Sequence, residues 1–316
     1  MLHLGFDVGG TKVAAGLVDE KKKIVAKLSL PFPRGTDGAS FAAYLKRMAD
    51  ELCREAGISV SNIPTIGVGL PGTLDESRKT VVHAHNLGFH QLPLADLLSE
   101  VFPAAGISLL NDADAATLAE LKAGALQGCQ SGLLLTLGTG LGGGVVSGGQ
   151  LFHGGQGRGV ELGHMLLHKD GRRCTCGQRG CAERYCSATA LARAGRRAIA
   201  RAPESLLARR AAAKPEKISA RDVIDCARAG DPVALAVFDA YVDELAAFIA
   251  SLVNLLDPEV IAIGGGLGQS GEFLCAPLRS PAAEKCFYQS CGRIVPAVLG
   301  NDAGLIGAAL AAGLTE

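Results

Sequence analysis

Apolar positions alternate from the first residues of the chain. Residues 2–8 (Leu-His-Leu-Gly-Phe-Asp-Val) read as a strand, Gly9-Gly10-Thr11 as a tight turn, and 13–18 as the strand returning from it. A third strand, 24–30, follows the turn Lys21-Lys22-Lys23. Over 40–56 the period lengthens to that of a helix, with Phe41, Leu45, Met48, Ala49 and Leu52 on one face. A strand at 65–70, a loop over 71–93, a helix near 94–101 and a strand at 107–110 come next, then an alanine-rich helix over 114–127. The second half opens the same way. Residues 133–137 form a strand, the glycines from 138 to 143 a turn, and 144–147 the returning strand. Helices follow at 187–201, 219–229 and 232–256, the last capped by Asp231 with Pro232 at its first position and closed by Asp257-Pro258. A strand at 260–263 runs into Gly264-Gly265-Gly266, and 303–314 has the small apolar residues of a buried helix. Two hairpin-led α/β units imply an internal repeat with a cleft between its halves.

Composition narrows the function class. The 316 residues allow one large domain or two of ordinary size, with 48% hydrophobic and 20% charged residues. Its 31 basic residues balance 31 acidic ones, which speaks against nucleic acid as the main partner. The basic stretch 193–210 is interleaved with Ala and Leu, as on a solvated helix face. Seven of the ten cysteines are scattered and read as small buried hydrophobes or surface thiols in a reducing compartment. The first residues lack a basic region followed by an apolar one, and no apolar run reaches the ~18 residues of a membrane span. The expectation is a cytoplasmic enzyme.

The other three cysteines carry chemistry. His164 is followed by Cys174, Cys176 and Cys181, the last three within Cys-Thr-Cys-Gly-Gln-Arg-Gly-Cys. A Cys-x-Cys pair can hold one tetrahedral ion, and Gly177 and Gly180 let the turn bring Cys181 back to it. Four such ligands with no open position describe a structural Zn²⁺, not a catalytic one. Glu161 and Glu183 bracket the cluster, so the metal is expected to shape a loop that presents carboxylates.

The glycine turns suggest phosphate binding. In Asp7-Val8-Gly9-Gly10-Thr11-Lys12 the turn offers backbone N–H groups, Thr11 a hydroxyl, Lys12 a positive charge, and Asp7 a carboxylate able to hold Mg²⁺ directly or through water. An ordinary Gly-Gly hairpin would look the same. Gly138, Gly140 and Gly143 formally spell Gly-x-Gly-x-x-Gly, but a strand follows where the dinucleotide fingerprint needs a helix. Paired hairpins, with Gly264-Gly265-Gly266 after a later strand, fit a nucleotide lying across an interdomain cleft. Between them, Asn111-Asp112-Ala113-Asp114 joins a strand to a helix. Phosphoryl transfer to an alcohol needs a carboxylate there to take the proton, and Asp112 is placed for it. Asp114 is the expected helix cap.

Asp7-x-Gly-Gly-Thr-Lys, Asn111-Asp112-Ala113, Gly138-Thr139-Gly140-Leu141-Gly142-Gly143-Gly144, Glu161-Leu162-Gly163-His164 and Cys174-x-Cys-Gly-x-x-Gly-Cys-x-Glu183 together resemble the ROK family of bacterial sugar kinases and related repressors. The resemblance covers the whole chain in order. It implies an actin-like ATPase (ribonuclease H-like) fold: an α/β domain at 1–115 rejoined by a C-terminal helix at 300–316, and a second at 116–299 carrying the zinc loop. ATP and a hexose would share the cleft, and a homodimer or homotetramer would be expected. By that resemblance Asp112 activates the sugar 6-hydroxyl, while Asn111, Glu161, His164 and Glu183, with Gly72 and Asn86, contact the sugar. His164 would bind zinc through one ring nitrogen and sugar through the other. Gly9, Gly10, Thr11, Lys12, Gly138, Thr139 and Gly140 would take phosphates, and Gly264, Gly265 and Gly266 the adenosine. Glucose is the foremost substrate, with N-acetylglucosamine, N-acetylmannosamine, fructose and allose as alternatives. A sugar-sensing repressor is the rival class, whose relatives carry a helix-turn-helix segment ahead of the first hairpin. Two residues depart from the family pattern: Val160 stands where a small residue is usual, which is expected to shift Glu161 or narrow the pocket, and Asp114 where Asn is common.

Overall fold

A computed structural model describes residues 1–211 and 214–311. The first unit begins as the meander β1 (Leu2–Val8), β2 (Lys12–Asp19) and β3 (Ile24–Pro31), antiparallel throughout. Asp37 caps α1 (Gly38–Glu55) by accepting from the Ser40 N–H, and the expected stripe of Phe41, Leu45, Met48 and Leu52 is buried. Then come β4 (Thr65–Leu70), the short strands β5 (Thr73–Leu74), β6 (Val81–Ala84) and β7 (Phe89–Leu92), α2 (Leu94–Val101), β8 (Gly106–Asn111) and α3 (Asp112–Ala123). β4 and β8 add in parallel, giving the order β3-β2-β1-β4-β8.

The second unit repeats this plan. β9 (Ser131–Leu137), β10 (Leu141–Ser147) and β11 (Gln150–Phe152) form the meander. Helices α4 (Glu183–Cys186), α5 (Ala188–Ile199), α6 (Leu206–Arg210), α7 (Ala220–Arg228) and α8 (Pro232–Leu256) precede β12 (Val260–Gly264). α9 (Gly265–Gly268), α10 (Glu272–Lys285), β13 (Arg293–Pro296) and α11 (Ala303–Ala311) complete it. The order β11-β10-β9-β12-β13, with β12 and β13 parallel, matches the first sheet strand for strand. This is the repeated mixed sheet of the actin-like ATPase fold.

Separate cores hold the two sheets. Phe6 and Phe41 are completely buried in one and Phe248 nearly so in the other, each side chain contributing about 2–3 kcal/mol by leaving water. The units cross at one helix pair. α3 leaves the first sheet and packs on β9, β10 and β11 of the second, while α11 leaves the second and packs on β1, β2, β4 and β8 of the first. Small residues permit the approach: a Cβ on Gly67 would come 1.7 Å from the Ala308 carbonyl, and one on Gly307 1.7 Å from that of Ala115.

Several expectations change. The loop expected over 71–93 contains the three-stranded sheet β5-β6-β7. Its strands of two to four residues are too short to declare a period. α10 forms despite Pro277 and Pro281, and β13 carries its proline at the end of an edge strand. The second glycine turn shrinks to Gly138, Thr139 and Gly140, because β10 starts at Leu141. Gly144 serves packing, since a Cβ there would meet the Thr117 Oγ1 of α3 at 2.3 Å. The final helix was expected to reach 314; residues 312–316 lie outside the described residues. No helix among the described residues is long and apolar enough to cross a membrane.

Candidate active site

The two glycine turns are structural counterparts. At the end of β1 the Gly9 N–H donates to the Lys12 carbonyl (2.9 Å); at the end of β9 the Gly138 N–H donates to the Gly140 carbonyl (3.0 Å). Each turn is thereby closed. The N–H groups of Gly10, Thr11, Thr139 and Gly140 take no other partner among the described residues, and Thr11, Lys12 and Thr139 are solvent-exposed. These are free donors of the kind phosphate oxygens need. Asn86 lies against the first turn, since a Cβ on Gly10 would meet its carbonyl at 3.5 Å.

The junction of β8 and α3 places the central carboxylates, with the cap reversed from expectation. Asn111, not Asp114, is the N-cap: its Oδ1 accepts from the N–H groups of Ala113 (2.8 Å) and Asp114 (3.4 Å). Its Nδ2 donates to the Gly72 carbonyl (3.0 Å), leaving one amide hydrogen for the cleft. Gly72 is fixed at φ 121°, where a Cβ would strike the His83 carbonyl at 2.1 Å. Asp114 is instead buried, 2% exposed, and bridges Arg78 Nη2 and His153 Nδ1, each at 3.1 Å. Neither partner was visible in the sequence, because both arrive from distant loops.

Asp112, freed from capping, faces the cleft. The residue is solvent-exposed, yet protein crowds its carboxyl group. Burial holds its carboxyl above the usual range; the Asp114 charge adds to this, and the Ala113 N–H (2.9 Å) opposes it. Burial, followed by the negative charge of Asp112, pushes Asp7 up to about 6. Glu161 is raised by burial and by Asp112, Asp114 and Glu183, with His164 opposing. Residues spread from 7 to 183 therefore converge in one acidic cleft. The carboxylates of Asp7 and Glu161 take no hydrogen bond among the described residues.

The four candidate metal ligands come together. The ligand atoms of His164, Cys174, Cys176 and Cys181 all lie within 4.8 Å of one another. Cys176 and Cys181 Sγ are 3.6 Å apart, and Cys174 Sγ is 3.7 Å from His164 Nδ1. Zinc–sulfur bonds of about 2.3 Å at tetrahedral angles require sulfur separations of about 3.8 Å, so the set fits Zn²⁺. Burial and the neighbouring sulfurs of Cys176 and Cys174 push the Cys181 thiol up to about 12, a crowding that a bound cation reverses by deprotonating the thiols. Gly177 and Gly180 adopt φ 93° and 82°, folding the loop so that the N–H of Cys174 reaches the Gln178 carbonyl (2.8 Å). With Nδ1 turned to the sulfurs, His164 presents Nε2 elsewhere.

Glu183 ties this loop to the second glycine turn. Its Oε2 accepts from the Leu141 N–H (3.2 Å) and its Oε1 from Cys174 Sγ (3.9 Å). Gly140 has no Cβ because one would sit 2.4 Å from that Oε2. Gly264 ends β12, and Gly265 and Gly266 open α9 instead of a simple turn. Gly266 borders a cavity of about 340 Å³ with Ala188, Ile224, Arg228 and Gln269. Val160 is half-buried and packs on the second unit's core.

The sequence pattern of the ROK family matches residues 3–313. The chain belongs to the ROK family. Its relatives include a glucokinase of Thermotoga maritima, 36% identical over 311 residues, covering 97% of this chain and 95% of that one. An N-acetylmannosamine kinase of Citrobacter koseri is 32% identical over 313 residues, 99% of each chain. Among solved structures, a ROK glucokinase of Streptomyces griseus in complex with glucose and AMPPNP superimposes with a TM-score of 0.83 at 33% identity, covering 98% of this ROK chain and 99% of the other.

Proposed function

We propose that this ROK chain is a glucokinase, transferring the γ-phosphate of MgATP to the 6-hydroxyl of glucose. That it is an ATP-dependent hexose kinase is the coarser statement; glucose is the finer one, because the ROK relatives act on more than one sugar. The observation that carries the reading is Asp112, a carboxylate with a raised pKa that lies near enough to Asp7 and Glu161 to raise theirs.

Asp112 takes the hydroxyl proton as the sugar oxygen attacks the γ-phosphorus, and the bond to the bridging oxygen breaks with its electron pair leaving on ADP. Gly10, Thr11, Thr139 and Gly140 orient the phosphates through their N–H groups, with Lys12 adding positive charge. Gly264, Gly265 and Gly266 border the adenosine, whose base would enter the cavity beside Gly266. Glu161, the Nε2 of His164, the remaining amide hydrogen of Asn111 and the side chain of Asn86 bind sugar hydroxyls, and Gly72 sets the position of Asn111. Glu183 keeps spare lone pairs on both oxygens and can accept from a sugar hydroxyl while holding Leu141. Asp7, a hard oxygen donor without a partner, suits Mg²⁺, which when bound neutralises phosphate charge. His164, Cys174, Cys176 and Cys181 would hold zinc, and His164, bound through Nδ1, would then keep one tautomer and one direction toward the sugar.

ADP release from MgATP, measured with glucose, mannose, fructose, allose, N-acetylglucosamine and N-acetylmannosamine, tests this. Preference for glucose is expected. Preference for an N-acetylated sugar would overturn the substrate, and turnover of none would overturn the kinase reading.

A further inference from the structure

The function just proposed makes no use of a partly buried cluster of three residues at the start of α3. Asp114 Oδ2 accepts from both Arg78 Nη2 and His153 Nδ1 at 3.1 Å. A carboxylate can only accept, so the His153 proton sits on Nδ1. The partners come from opposite units. Arg78 stands in the turn between β5 and β6, at φ 57°, where the Asp75 side chain accepts from the N–H groups of Lys79 and Thr80. His153 follows β11 and opens the glycine-rich segment leading to Glu161.

That segment closes on itself. The Gly159 N–H donates to the His153 carbonyl (2.8 Å) and the Gly157 N–H to the Gly154 carbonyl (3.1 Å). Gly154, Gly157 and Gly159 all have positive φ, a path that residues with a Cβ rarely follow. The ring rests on the same cluster: a Cβ on Gly159 would lie 3.9 Å from Asp114 Oδ2, and one on Gly157 3.9 Å from the Glu76 backbone. Glu161 lies two residues beyond the ring, and so its direction depends on where the ring sits.

We propose that Asp114 is a positioning residue: by gripping Arg78 and His153 it holds the 153–159 ring, and through it the Glu161 carboxylate, in place for the sugar. This rests on the sugar-binding role given to Glu161 above. Asp112 is held separately, through the Asn111 cap and the Ala113 N–H, so the latch acts on sugar binding more than on the proton-accepting step. Arg78 Nη1 is buried without a partner, so Asp114 is the only carboxylate among the described residues that pairs with this guanidinium. Without it, Arg78 and His153 can swing into the adjoining cavity of about 610 Å³ that both line.

The test uses Asp114→Ala, His153→Ala and His153→Asn in the full chain, with two readouts. Asp114→Ala and His153→Ala are expected to raise the KM for glucose about 2- to 30-fold, with a smaller change in kcat and none in the KM for ATP. His153→Asn, whose amide N–H can replace Nδ1–H, should restore the KM. Trypsin cleavage after the exposed Arg158 should accelerate in parallel in the two alanine variants. Unchanged glucose KM and unchanged cleavage in folded His153→Ala and Asp114→Ala would overturn the latch. Should the wild-type chain phosphorylate no hexose, the kinase reading fails by itself. Cleavage then decides the latch: faster cut in the alanine variants sustains it, and an unchanged cut removes it.

Discussion

Asp7 should cost the free protein stability, and the cost can be worked out. Its carboxyl is lifted from 3.8 to about 6, first by burial and then by the charge of Asp112, so the folded protein holds the proton more tightly than the unfolded chain. A tenfold difference in proton affinity is worth about 1.4 kcal/mol, which gives a penalty of about 3 kcal/mol once both states are ionised. Solvent entering the cleft reduces it, and we expect Asp7→Asn to gain about 1–2 kcal/mol at pH 7.5. The sign follows from proton binding. Between pH 4 and 6 the native state binds more protons at this site than the unfolded state. The penalty is therefore complete above the folded pKa and vanishes as pH falls below the unfolded one. The gain of Asp7→Asn should be roughly halved at pH 5. Urea denaturation of both proteins at pH 7.5 and pH 5 measures it, and their difference cancels pH effects common to both. The same variant should lose sugar phosphorylation, since an amide is a poor Mg²⁺ ligand. A variant less stable than wild type at pH 7.5, or a gain independent of pH, would refute the account of Asp7 as an unpaired carboxylate awaiting a cation.

Asp112→Asn should lower kcat by about 10²- to 10⁴-fold, the usual contribution of a positioned base, while leaving the KM for ATP unchanged; near-normal turnover in folded protein would remove Asp112 as the base. Metal analysis of protein purified without chelator should find one zinc per chain. Stripping it should remove a folding contribution of order 10 kcal/mol from the loop and weaken glucose binding before ATP binding, a separation visible by calorimetric titration of each ligand. Gly307→Ala should destabilise the chain by at least about 2 kcal/mol, because its methyl would meet the Ala115 carbonyl 1.7 Å away and force α11 off α3; an unchanged melting temperature would contradict that packing.

What the sequence disclosed depends on how local the governing physics is. A hairpin turn, a Cys-x-Cys bite and a proline at the start of α8 are decided within a few residues, and each formed where the residues indicated. The repeat was legible because each meander states its strands within one short stretch, 2–31 in the first unit and 131–152 in the second. Where two residues compete for one role, local rules stop discriminating. Asn and Asp are equally good helix caps, and only the approach of Arg78 and His153 decides that Asp114 is drawn into the interior while Asn111 takes the cap. The same reversal leaves Asp112 with no competing duty. Asn111 is committed mainly to the backbone and Asp114 to Arg78 and His153, and the carboxylate between them is left to face the cleft. Glu183 shows the complementary limit: its spacing from Cys181 marks it as part of the loop, but only the fold reveals that it also holds the start of β10 after the second glycine turn. The cysteine loop and the second glycine turn are thus joined through one carboxylate. Loss of the metal should therefore be felt at Gly140 as well as at the sugar, a coupling no reading of either motif alone contains.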